Sequence, residues 1–132
     1  LAVSPEGSRV ALATGGDLMV GIILRDPDQA TASIEGLRQV QIDDREVTSV
    51  AWSGLTELAI LVQEGDEAPE PYRVGIGGSD LSPAGPVQNP VDIAAAPGEG
   101  LAVSTHDGTL RRQSPTLQWI DIGPGVSPAY PG

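Results

Sequence analysis

The stretch Val50-Ala-Trp-Ser-Gly-Leu-Thr-Glu-Leu-Ala-Ile-Leu61 decides the fold, because it places a short apolar strand, a polar turn and a second apolar strand in succession. The same order recurs without a gap in Ile93-Ala-Ala-Ala-Pro-Gly-Glu-Gly-Leu-Ala-Val-Ser104. A third copy lies upstream, in Leu1-Ala-Val-Ser-Pro-Glu-Gly-Ser-Arg-Val-Ala-Leu-Ala13. A pattern that returns every 43 to 49 residues predicts tandem structural units of one kind.

Each unit has the residues of a β-hairpin. In the turn Ser4-Pro-Glu-Gly7, proline fixes φ and glycine permits a positive φ. The near-continuous apolar run Leu58-Ala-Ile-Leu-Val62 is typical of a strand covered on both faces. The small residues Ala51, Ala94 and Ala95 favour a crowded position where neighbouring sheets converge.

A third strand follows each hairpin, and the sequence predicts it at Leu18–Leu24, at Tyr72–Ile76, and in the last unit at Thr109–Arg112 or Leu117–Ile122. A fourth strand is predicted in the first unit at Leu37–Ile42. About four strands per period is the signature of a propeller blade. We therefore predict an all-β, partial β-propeller of four-stranded antiparallel blades at about 1–46, 47–89 and 90–132, with a β-sandwich as the alternative. Because propellers typically close with four to eight blades, we expect this chain to adjoin further blades.

The connecting segments are polar and contain proline. Residues 26–33 and 64–71 read as loops, and residues 82–90 read as a loop or an edge strand. The acidic loop Glu64–Glu70 could steer a basic partner, although a solvated loop is the commoner case.

Composition narrows the possible functions. The net charge is −11, so the surface repels phosphate backbones and nucleic-acid binding is not expected. The chain has no Cys, which removes disulfides and thiolate chemistry. No apolar run approaches the roughly 18 residues that span a bilayer.

We predict no catalytic site, metal site or cofactor in this chain. Its only His lies in Ser104-Thr-His-Asp-Gly108, which is typical of a hairpin turn rather than of a catalytic triad. Gly75-x-Gly77-Gly78 lacks the helix that a phosphate cradle needs and favours a bulge or turn. The carboxylates that calcium could use do not form a calcium-binding loop: Asp26, Asp28, Asp43 and Asp44.

Four side chains are candidates for contact with a protein partner. Trp52 and Trp119 are hot-spot residue types, although a tryptophan in a strand is more often part of the packing between blades. Arg111 and Arg112 form a basic pair in an acidic chain and could meet a partner carboxylate, while an exposed strand pair is the commoner case.

The tract Val47-Thr-Ser-Val-Ala-Trp-Ser-Gly-Leu-Thr-Glu-Leu-Ala-Ile-Leu61 resembles the C-terminal propeller of the LpqB-type lipoproteins of actinobacteria. Val74-Gly-Ile-Gly-Gly-Ser-Asp-Leu81 and Pro90-Val-Asp-Ile-Ala-Ala-Ala96 extend the likeness over most of the chain. The resemblance implies a non-enzymatic, extracytoplasmic interaction module of a lipoprotein that is anchored to the cell membrane upstream. It also implies an accessory role to the MtrA–MtrB two-component system, with the ectodomain of the sensor kinase as the partner.

Two other functions stay open from the sequence. One is a ligand-binding or hydrolytic propeller whose site lies in further blades, since channel sites draw polar residues from the whole ring. The other is a structural protein of the cell envelope.

Overall fold

The computed structural model describes residues 2–26, 28, 31–40, 42, 45–78, 81–85, 87, 90–96, 100–106, 108–113 and 119–124. Within these ranges the secondary structure is entirely β, with twelve strands in three antiparallel sheets of four strands each. Each sheet takes four consecutive strands in chain order. The prediction of an all-β fold of four-stranded antiparallel blades is therefore confirmed, and the strands do not form the alternative β-sandwich.

The first sheet contains two short strands followed by two long ones: β1 (Ala2–Val3), β2 (Arg9–Thr14), β3 (Asp17–Asp26) and β4 (Thr31–Val40). The predicted turn between β1 and β2 is present: Gly7 has a φ of 79° and its N–H donates to the carbonyl oxygen of Ser4 over 2.9 Å. Glycine tolerates this left-handed conformation because it has no Cβ.

The second and third sheets repeat the same meander. The second comprises β5 (Glu46–Trp52), β6 (Glu57–Gln63), β7 (Glu70–Gly75) and β8 (Ser82–Pro83). The third comprises β9 (Pro90–Ala96), β10 (Gly100–Thr105), β11 (Thr109–Gln113) and β12 (Trp119–Pro124). Both segments offered as a third strand of the last unit thus contribute, since β11 and β12 form consecutive strands.

The sheets stack through their first strands, because β1 and β2 contact β5, and β5 contacts β9. The middle sheet takes part in both apolar cores. Leu58, Ile60 and Val62 on β6 face the first sheet, whereas Ala59 and Leu61 face the third. All five are buried, so the predicted coverage of this run on both faces is confirmed. Burial of each large side chain contributes about 1.5–3 kcal/mol relative to exposure.

The prediction of a loop at residues 26–33 is wrong at both ends. β3 continues to Asp26 and β4 begins at Thr31, so five residue pairs extend from Ile22–Glu35 to Asp26–Thr31. Polar side chains made this segment read as a loop, yet main-chain pairing does not depend on apolar side chains. Likewise, Glu70 and Pro71 belong to β7 rather than to the predicted loop at 64–71. In 82–90, Ser82–Pro83 forms an edge strand, as one of the two readings predicts.

The two faces of the first sheet differ in what they meet. We call one the covered face, because its Leu18 and Val20 pack in the core shared with the second sheet. We call the other the open face, which carries Val3, Ile34 and Leu37. These three are about half exposed, and among the described residues no other sheet lies over them.

Candidate interaction surface

The first strands of the three sheets line an open groove. Its volume is about 410 Å³ and its wall is apolar: Ala2, Val3, Pro5, Val50, Ala51, Trp52, Ile93, Ala94 and Ala95. Ala51, Ala94 and Ala95 lie where β5 and β9 approach each other, as predicted, but they are half-buried and line an open groove rather than a crowded position. The small side chains leave a concave surface that suits apolar contact.

Polar bonds close the junctions between sheets. Trp52 is only 4% exposed, and its Nε1 donates to the carbonyl oxygen of Ala2 over 3.1 Å, which ties β5 to β1. Ser49 Oγ donates to Asp92 Oδ1 over 2.5 Å and accepts from Ile93 N over 3.3 Å, which ties β5 to β9. These bonds fix the position of each sheet against the next.

A second set of bonds links the outer strands of the second and third sheets. Arg73 Nη1 donates to Glu57 Oε1 over 3.2 Å, and its Nη2 donates to Gln113 Oε1 over 3.1 Å. Gln113 Nε2 then donates to the carbonyl oxygen of Ala84 over 2.6 Å. Arg73 therefore holds a junction and is not a free cation.

The four side chains predicted to contact a partner do not form one surface. Trp52 lies between the first and second sheets, while Trp119 is half-buried beside the core of the second and third sheets. Trp119 Nε1 is buried and finds no acceptor among the described residues. Arg111 and Arg112 are neighbours on β11, with Arg111 half-buried and Arg112 exposed. Their contact with a partner stays a prediction.

The segment around the only His is the predicted turn. His106 is exposed between β10 and β11, and Gly108 N donates to the carbonyl oxygen of Thr105 over 3.0 Å. Gly108 has a φ of 83°, a conformation that favours glycine. Asp107 lies outside the described residues.

The glycine segment after β7 is also a turn, because Gly78 N donates to the carbonyl oxygen of Gly75 over 2.9 Å. Of the four carboxylates considered for calcium, Asp43 and Asp44 lie outside the described residues. Asp28 N donates to Asp26 Oδ1 over 3.0 Å, which makes a local turn of this pair. Among the described residues no three His, Cys, Asp or Glu side chains group as metal ligands.

Three strongly exposed apolar side chains lie at one rim of the first two sheets. Ile22 and Leu24 on β3 are 51% and 49% exposed, and Leu55 in the β5–β6 turn is 60% exposed. β3 alternates regularly here, so Ile22 and Leu24 continue the row of Leu18 and Val20 on the covered face. They extend past the end of the apolar core, where the second sheet no longer covers the row.

Two arginines flank these side chains. Arg9 lies opposite Ile22 on β2, and its Nη1 donates to the carbonyl oxygen of Leu55 over 3.1 Å. Arg38 lies opposite Val20 on β4, and its Nη2 donates to the carbonyl oxygen of Ile76 over 3.2 Å. Within the described residues neither guanidinium has a carboxylate within 4.0 Å. We call Ile22, Leu24, Leu55, Arg9 and Arg38 together the rim patch.

The acidic groups nearby make their direct bonds to other residues. Glu6 in the β1–β2 turn accepts hydrogen bonds from Ser8 Oγ over 2.8 Å and from Ser4 Oγ over 3.0 Å. The bond from Ser8 and the main-chain N–H of Glu6 itself, followed by the bond from Ser4 and the charge of Arg9, keep the pKa of this carboxyl below its ordinary value. On the second sheet, Arg45 pairs with Glu64 at 3.9 Å and lies over the ring of Tyr72.

Residue types did not identify the rim patch from the sequence. Ile22 and Leu24 look like core residues of a strand, and their exposure depends on where the second sheet stops covering the face of β3. That limit depends on the packing between sheets and has no signal in the local sequence.

Three meandering four-stranded sheets, stacked through their first strands, define a segment of a β-propeller. The family model of the lipoprotein LpqB β-propeller domain matches residues 1–131. The chain therefore belongs to the LpqB lipoprotein propeller family, as its resemblance predicts.

Three relatives named lipoprotein LpqB align with nearly the whole chain. The relative from Thermobifida fusca is 33% identical over 139 residues, covering 100% of this chain. Those from Streptomyces coelicolor and Streptomyces avermitilis are 29% and 30% identical, each covering 98% of it. This chain spans only 22–23% of the length of these relatives. Among its described residues no helix is long and apolar enough to cross a membrane.

Proposed function

We propose that this propeller segment belongs to a non-enzymatic, extracytoplasmic interaction module of a membrane-anchored lipoprotein. Its role is accessory to a two-component sensor kinase of the MtrA–MtrB type, and its partner is the extracytoplasmic domain of that kinase. A lipid anchor upstream of this segment holds the module at the cell membrane. Membership of the LpqB family, whose relatives are named lipoproteins, supports the anchor.

The observation that carries the proposal is the exposed apolar rim. Ile22, Leu24 and Leu55 are each about half exposed, yet they lie beside a junction where two sheets already meet. A neighbouring blade of the same ring packs on sheet faces, and the covered face of the first sheet already has its neighbour. Apolar side chains that the adjoining sheet leaves exposed favour contact with another molecule.

A ligand-binding propeller is the second candidate, and the groove between the first strands favours it. Its wall of alanine, valine, isoleucine and tryptophan side chains suits an apolar ligand. Hydrolysis would need polar side chains that converge on the groove, and the residues of this wall offer none.

The test measures binding between the full-length lipoprotein that carries this segment and the purified ectodomain of the sensor kinase. We expect a dissociation constant of about tens of micromolar or tighter, a range typical of transient signalling contacts. Calorimetry at physiological ionic strength measures it, with an unrelated ectodomain of similar charge as the control. Absence of binding at hundreds of micromolar, or equal binding to the control, rules out the named partner.

A further inference from the structure

We propose that the rim patch docks a protein segment in which apolar side chains are flanked by carboxylates. The proposal deepens the proposed function, because it assigns the surface and the chemistry through which the module meets its partner. It rests on three observations: the position of the apolar side chains, the state of the two arginines, and the placement of the acidic residues around them.

The apolar part of the patch is a short row of two side chains on β3, with Leu55 of the next sheet beside it. Ile22 and Leu24 stand on the same face of β3, two residues apart, and Leu55 stands on the turn of the next sheet. The guanidinium of Arg9 lies between them, because Arg9 pairs with Ile22 and bonds to the carbonyl oxygen of Leu55. Two apolar side chains of a partner can lie along this row and remove both β3 residues from water.

The arginines select carboxylates. A guanidinium has five N–H donors. Arg9 and Arg38 each use one of them to bond to a main-chain carbonyl oxygen. The bond fixes the orientation of the side chain, and neither guanidinium forms a direct ion pair among the described residues, although the charge of Arg9 interacts with that of Glu6 at longer range. The remaining donors can take a carboxylate in the two-bond geometry that arginine favours. Arg45 and Arg73 on the second sheet differ, since each already has a glutamate partner.

The acidic residues set the direction of the partner. Asp26 and Asp28 lie at the tip of the β3–β4 hairpin, and Glu35 lies opposite Ile22 on β4. Their charges repel a carboxylate from the hairpin tip and from the part of β4 around Glu35, so the partner's acidic group lies toward Arg9 on β2 and toward Arg38 further from the tip. The same aspartates, in a chain of net charge −11, disfavour an anionic membrane surface as the occupant.

The experiment uses the full-length lipoprotein and two kinds of probe. The first is the kinase ectodomain, and the second is a set of three fluorescent peptides of equal length: acidic-apolar, basic-apolar and acidic-polar. We expect the acidic-apolar peptide to bind most tightly. Binding should weaken roughly tenfold or more in the double variant Ile22→Ser/Leu24→Ser, and several-fold in Arg9→Gln or Arg38→Gln.

Matched variants separate the patch from general effects. Val91→Ser removes an equally exposed apolar side chain from β9, and Arg45→Gln removes one positive charge from the second sheet. Both should bind the acidic-apolar peptide as the unchanged protein does. Circular dichroism checks that the patch variants keep the fold. A half-exposed Ile22 or Leu24 contributes little to it.

The two proposals fail separately. If the acidic-apolar peptide binds through the patch and the kinase does not bind, the rim patch is supported as a docking surface and the kinase is ruled out as the partner. If the kinase binds the patch variants as tightly as the unchanged protein, the kinase is supported as the partner and the rim patch is ruled out as the docking surface. Equal binding of all three peptides, or binding of the protein to anionic phosphatidylglycerol vesicles that Ile22→Ser/Leu24→Ser abolishes, overturns the proposed chemistry.

Discussion

The covered and open faces of the first sheet carry similar residues and meet different surroundings. On the covered face, Leu18 and Val20 are buried against the second sheet. On the open face, Ile34 and Leu37 stay about half exposed, although they pack over Gly21. The difference shows that apolar composition alone does not distinguish the inside of a junction from its outside. Leu18 belongs to the core because the second sheet covers it, whereas Leu37 has no sheet over it among the described residues.

The largest expected effect is on the covered face. Leu18→Ala leaves a cavity in a core that is already filled, and we expect a loss of about 2–5 kcal/mol in the free energy of unfolding. Leu37→Ala on the open face should cost less than about 1 kcal/mol, because water already reaches this side chain. Urea unfolding of the chain measures both.

The same pair of variants sharpens the comparison when measured in the full-length protein. A cost for Leu37→Ala that rises to the level of Leu18→Ala would show that another sheet covers the open face there. An unchanged small cost would mean that this face stays in water.

Gly21 tests how closely the open face packs on itself. A Cβ at this position would lie 2.9 Å from Leu37 Cδ2, 3.1 Å from Ile34 Cγ2 and 3.3 Å from the carbonyl oxygen of Glu35. The two side chains can shift, whereas the main-chain oxygen of a paired strand cannot, so we expect Gly21→Ala to cost about 1–3 kcal/mol. Thermal unfolding gives the value. Gly77→Ala, which meets nothing within 4 Å, is the control and should change stability little.

Ser49 tests a polar pair inside a junction. Ser49→Ala removes the donor to Asp92 and the acceptor for Ile93 N, so we expect a loss of about 1–3 kcal/mol. Ser33→Ala, at an exposed position of β4, should change stability by less than about 0.5 kcal/mol. Denaturant titrations measure both variants. Equal losses of stability in Ser49→Ala and Ser33→Ala would contradict the view that the hydrogen bonds of Ser49 between the sheets stabilise the fold.

The smallest effect belongs to the exposed Glu6 in the β1–β2 turn. Because folding lowers the pKa of Glu6, its ionised form is favoured in the folded chain. This contribution is present above the ordinary glutamate range and is lost as the pH falls through the lowered pKa. We expect the carboxyl titration of Glu6, followed by NMR, to move to higher pH in Ser8→Ala. Ser33→Ala should leave it unchanged.

The sequence predicts the parts of this fold that depend on local chemistry. The continuous apolar run on β6 indicates coverage on both faces, and Gly108 indicates a tight turn, because strand patterning and positive φ are properties of the local chain. The rim patch depends instead on contacts between residues far apart in the chain. Arg9 and Arg38 bond to carbonyl oxygens 46 and 38 residues away, and no spacing within the sequence reveals such a pair.

The bond between Ser49 and Asp92 has a consequence for how such repeats can evolve and assemble. These residues occupy equivalent positions, one unit apart, in the alignment of the second and third copies. Two identical units would place aspartate beside aspartate or serine beside serine at this junction, and neither arrangement makes the same bond. The presence of serine in one unit and aspartate in the next therefore distinguishes the two units at this junction. A duplicated or exchanged unit would therefore meet a mismatched neighbour, which favours one order of the units.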